Sequence, residues 1–66
     1  MVQYLAIGPR NEKAYTQYAT VAAALTAAVR DLASDEWVPV QIRGNGQHLD
    51  FEAILVALAR EWVMAA

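Results

Sequence analysis

A chain of 66 residues forms one domain around one small core, and domains of this size are marginal alone. It has no cysteine and a single histidine, His48, which excludes disulfides, thiolate zinc and a histidine-rich metal site and leaves oligomerisation as the remaining common support of a mini-protein. Hydrophobic residues are 58% of the chain and charged ones 18%, and a net charge of −2 supplies no long-range field toward nucleic acid or an anionic membrane.

Residues 2–8 (VQYLAIG) are rich in β-formers and stop at Gly8-Pro9, a pair that ends a strand. Residues 10–13 are polar and turn-like. Residues 14–19 (AYTQYA) place two tyrosines and a threonine at strand-compatible spacing. Residues 2–19 are therefore expected to form a β-hairpin with its loop near residues 9–13. The rival is one long helix capped by Asn11 and running to Ala33. At 1.5 Å per residue, such a helix overshoots a seven-residue strand.

Thr20 is a good N-cap for a helix over residues 21–33. Val21, Leu25, Val29 and Leu32 share one face with Ala28, and Thr26, Arg30 and Ser34 lie opposite. Ala22, Ala23, Ala24 and Ala27 raise helix propensity and keep one flank thin enough for something to approach closely. Ser34-Asp35-Glu36 ends this helix.

Residues 37–43 (WVPVQIR) alternate, with Val38, Val40 and Ile42 expected inward and Trp37, Pro39, Gln41 and Arg43 outward. Pro39 has no backbone N–H, so this strand is expected at a sheet edge or with a bulge at Pro39. Gly44-Asn45-Gly46 is a strong turn signal because Asn and Gly tolerate positive φ. Residues 47–49 form a short return strand, and Asp50 caps the final helix.

That helix, with its cap, reads DFEAILVALAREWVMAA, and only Asp50, Glu52, Arg60 and Glu61 are charged. Phe51, Ile54, Leu55, Leu58 and Trp62 make a core stripe. Val56, Ala59 and Val63 continue the apolar surface to about 200° of arc, against roughly 100° or more on an ordinary surface helix. Glu52 intrudes on this second strip where a carboxylate suits the helix dipole. Arg60 and Glu61, with Ala53 and Ala57, mark the expected solvated side. The second strip points to an interface made by Val56, Ala59 and Val63, with Trp37 as a natural anchor. The competing reading wedges the helix between sheet and first helix, burying both strips without a partner. The polar face lacks the Lys and Arg of a membrane-surface helix, and no stretch is long enough to span a bilayer.

Catalytic chemistry has little support. Ser34 is the only serine, His48 has no nucleophile in its local sequence, and the Gly-Asn-Gly turn lacks the pattern of a phosphate loop. No cofactor is expected. A nucleic-acid reading rests on Arg10, Lys13, Tyr15, Trp37 and Arg43, with Gln41 and Tyr4, because aromatics and arginines on a sheet face stack single-stranded bases. Cations on strand edges also deter sheet-on-sheet aggregation, which accounts for the same residues without nucleic acid.

The expected fold is a single α+β domain over residues 1–66. It is a small antiparallel sheet in the order β-hairpin, α, β, short β, α, with both helices packed on one face. Its expected core is Leu5, Ile7, Val21, Leu25, Val29, Leu32, Val38, Val40, Ile42, Ile54, Leu58 and Trp62. The expected function is a non-enzymatic, homodimeric interaction module that regulates or inhibits a larger protein by binding it. The alternative is a sheet-face nucleic-acid binder. Met1 leads straight into a strand-like segment with no basic n-region, which reads as cytoplasmic.

Overall fold

The computed structural model describes the backbone of residues 1–65 and the side chains of residues 1–60. The elements are β1 (Val2–Ile7), β2 (Lys13–Tyr18), α1 (Val21–Ser34), β3 (Val38–Gly44), β4 (Gln47–Asp50) and α2 (Phe51–Ala65). The strands form one antiparallel sheet in the order β2-β1-β3-β4, and both helices pack on the same face of it.

The local signals act where they stand. The β1–β2 hairpin closes through Gly8 N–H to the Glu12 carbonyl at 2.8 Å and Asn11 N–H to the Gly8 carbonyl at 3.1 Å, with Asn11 at φ 63°. This settles residues 13–18 as strand and removes the long-helix reading. Thr20 sits in extended backbone at the start of α1, and its hydroxyl accepts from Ala23 N–H at 3.1 Å. Asp35 closes α1 in the left-handed region at φ 63°. Asn45 and Gly46 both have positive φ, as a two-residue hairpin loop between right-twisted strands requires. Gly44 is held to glycine twice, by a φ of 141° and by space, since a Cβ there would lie 2.5 Å from the Met1 carbonyl oxygen.

Two departures from the expected pattern decide what each face presents. Between Leu5 and Ala6 the β1–β3 register shifts: Leu5 pairs with Gln41 and Ala6 with Pro39, so Val40 is the extra residue of a bulge. β3 is a central strand, and the bulge is where it accommodates a residue without an N–H. The shift also reverses the side-chain parity before it. Pro39 and Ile42 point to the helices and are fully buried, while Val38, expected in the core, is 51% exposed on the outer face. Val40 is half-buried, and so is Ile7, which pairs with Val38.

The second departure is in β1 and α1. Val2, Tyr4 and Ala6 face the helices, so Leu5 lies on the outer side of the sheet, where it is still only 8% exposed. α1 meets the sheet through Ala24, Leu25, Ala27 and Ala28, with Val21 and Val29 partly buried beside them. The thin alanine flank lets the protein's own sheet approach. Leu32, expected in the core, is 37% exposed at the far end of the helix. Ile54 and Leu58 from α2 complete the core. Each fully buried aliphatic side chain, such as Ile42 or Ile54, stabilises the fold by about 1.5–3 kcal/mol relative to exposure.

Candidate interaction surface

α2 starts where Asp50 Oδ1 accepts from Ala53 N–H at 2.8 Å, with Glu52 in the first turn. The buried residues Ile54 and Leu58, with partly buried Ala53 and Ala57, seat the helix on the sheet. The two alanines expected on the solvated side therefore turn toward the protein, because short side chains allow close approach. That rotation moves large residues outward. Phe51 and Leu55, expected in the core, are each 40% exposed, and Val56 is 50% exposed with Ala59 open beside it. The helix is thus not wedged with both strips buried.

Two grooves border this apolar surface. One, of about 470 Å³, runs along the β4 side of α2, lined by Leu49, Glu52, Ala53, Val56, Ala57 and Arg60. The other, of about 360 Å³, lies between the helices and is lined by Val29, Leu32, Ala33 and Leu58. Val63, the third residue of the expected strip, and Trp62, expected in the core, lie outside the residues whose side chains are described. Sequence reasoning missed the exposure of Phe51, Leu55 and Leu32. The signal available was the surplus of large residues over the area that one helix face needs.

Trp37 does not join this surface, nor the outer sheet face. It is half-buried on the helix side of the sheet, packed against the core. Its ring lies against Gly8, where a Cβ would come within 3.0 Å of the indole. It lines a small cleft of about 180 Å³ with Tyr4, Tyr18, Thr16, Arg30 and Asp31. Trp37 precedes β3, and the parity reversal at the bulge accounts for its placement. In this cleft the Tyr4 hydroxyl donates to Asp31 Oδ2 at 2.7 Å, which ties β1 to α1. Burial, and then the hydrogen bond to Asp31, push the Tyr4 phenol well above its ordinary value.

The outer sheet face keeps part of the aromatic and basic set. Tyr15, 56% exposed, pairs with Leu5; Lys13 pairs with Ile7; Arg43 lies between Gln3 and His48. These residues alternate with the inward ones and so share one side. Arg10 sits in the hairpin turn, where its backbone N–H donates to Glu12 Oε1 at 2.6 Å. Trp37 and Tyr4 are on the opposite side, which leaves Tyr15 as the aromatic of that set on the outer face.

The polar residues weighed for catalysis are far apart in role. Ser34 Oγ donates to the Asp31 carbonyl at 2.7 Å at the end of α1, and His48 Nε2 lies 3.3 Å from Gln41 Oε1 on the outer sheet face. Among the described residues no group of three or more His, Cys, Asp or Glu side chains is placed to hold a metal ion, and no helix is long and apolar enough to cross a membrane. No protein-family model matches this chain, and neither a curated protein nor a solved structure shows significant similarity to it.

Proposed function

We propose that this chain is a non-enzymatic protein-interaction module that acts in the cytoplasm as a homodimer and regulates or inhibits a larger protein or complex by binding it. The observation that carries this reading is the state of α2. Its inward face is satisfied by Ile54, Leu58 and two alanines, yet Phe51, Leu55 and Val56 remain 40–50% exposed. Isolated exposed apolar residues are ordinary, but three large ones on a single helix of a 66-residue domain are a surplus of the kind that marks interfaces. A second copy is the simplest cover, because a two-fold interface needs only one self-complementary patch.

Dimerisation through α2 leaves the outer sheet face free for the larger target. Tyr15 and Val38 are more than half exposed there, with exposed Lys13 and Arg43 on the same face, a mixture of apolar and polar groups typical of protein contact surfaces. The test is sedimentation of the wild type beside Val56→Glu, with circular dichroism to follow the fold. The expected result is a dimer that Val56→Glu converts to a folded monomer, while Ala22→Gln on exposed α1 surface leaves it dimeric.

A second reading has one specific support. Lys13, Tyr15 and Arg43 share the outer face, and the carboxylate in the outer-face strand register is Asp50, at the end of β4. In this reading the face stacks single-stranded bases. The loss of Trp37 and Tyr4 to the other side weakens it.

A further inference from the structure

The groove on the β4 side of α2 carries a charge pattern that selects its occupant. Glu52, Val56 and Arg60 follow one another at four-residue spacing and so form one row along the helix. Glu52 and Asp50 stand at the N-terminal end of the groove, Arg60 at its C-terminal end, and 50%-exposed Val56 midway. Eight residues of helix separate Glu52 from Arg60 by about 12 Å, too far for them to pair within one copy. The one ion pair among the described residues is Arg30–Asp31, so neither end of the row is neutralised there.

We infer that a second copy of this chain lays its α2 antiparallel along this groove, with the two-fold axis through Val56, so that Glu52 of each copy faces Arg60 of the other. This rests on the homodimer reading above and adds its geometry. A two-fold axis at residue 56 exchanges positions equally spaced on either side of it, and residues 52 and 60 are such a pair. A parallel copy would set Glu52 against Glu52 and Arg60 against Arg60, and would align the helix dipoles unfavourably. The antiparallel copy makes two opposite-charge contacts and opposes the dipoles. Ala59 beside the row has no bulk to hold the helices apart, and Val56 meets its own copy at the centre. The affinity comes from covering Val56 and the apolar groove wall of Leu49, Ala53 and Ala57, while the charges fix direction and register.

Sedimentation at low salt, combined with single-cysteine oxidation, tests this. The expected result is a dimer in the wild type, weakened roughly tenfold in either Glu52→Arg or Arg60→Glu, since each change replaces two attractions by two repulsions. The two reversed chains, each repelled by itself, pair with one another when mixed. In a chain with no native cysteine, Val56→Cys oxidises to a covalent dimer that keeps the helical circular dichroism, whereas Glu52→Cys and Ala59→Cys do not link. Linking at all three positions would mean a parallel pair and would overturn the proposal. A wild-type dimer that is indifferent to both charge reversals, with Val56→Cys unlinked, would overturn this geometry while leaving the homodimer reading intact. A monomer at hundreds of micromolar would overturn both, and a different protein in the groove would become the occupant to seek.

Discussion

Tyr4 is the residue where polarity and burial meet. It lies on a central strand under α1, 2% exposed, and its hydroxyl reaches Asp31 at 2.7 Å. A phenol in that position must find an acceptor, because a buried hydroxyl without one costs more than the bond contributes. The sequence pattern points to Leu5 and Ile7 as the inward residues of this strand and to Tyr4 as outward, and the register with Thr16 and Ile42 reverses that. Tyr4→Phe is expected to lower stability by about 1 kcal/mol in urea denaturation. The same site sets an alkaline limit. The folded state holds the phenol protonated to higher pH than the unfolded state, so this contribution is fully present below pH of about 10 and is lost as pH rises from there through the folded value. Wild-type stability is therefore expected to fall above pH 10, with a shallower decline in Tyr4→Phe; equal slopes would mean that Tyr4 is not the group responsible.

At the scale of elements, what was legible was local. Asn45-Gly46, Thr20 and Asp50 each act within three or four residues, so turn, caps and element order can be read before any tertiary contact is known. The faces of the elements were less so. β3 alternates in sequence, but the bulge at Val40 depends on where β1 pairs with it, and that shift exchanges Val38 for Pro39 in the core. α1 shows a leucine and valine stripe, yet its most buried positions, Ala24 and Ala28, are small. Periodicity marks hydrophobicity, whereas close packing on a sheet selects for size. Ala28→Leu is accordingly expected to cost about 1–3 kcal/mol by overpacking, measured by chemical denaturation, while Ala22→Leu on the exposed flank stays near neutral. In α2 the surplus of apolar residues was legible, but the rotation that turns Ala53 and Ala57 toward the protein and exposes Phe51 and Leu55 was not. Of the expected interface, Val56 and Ala59 are open, and Trp37 belongs to the core.

For the whole molecule, the two faces differ in character. The helix layer presents an apolar, partly exposed α2, and the sheet presents Tyr15 and Val38 beside Lys13 and Arg43. With a net charge of −2 and few cations on that face, single-stranded oligonucleotides are expected not to bind in fluorescence anisotropy even at low salt. Salt-sensitive binding that Arg43→Glu removes would favour the nucleic-acid reading instead. Whether a second copy covers α2 is read from sedimentation of the wild-type chain against concentration. The expected result is a dimer that dissociates on dilution and that Val56→Glu converts to a folded monomer. A wild-type chain that stays monomeric at hundreds of micromolar would contradict it.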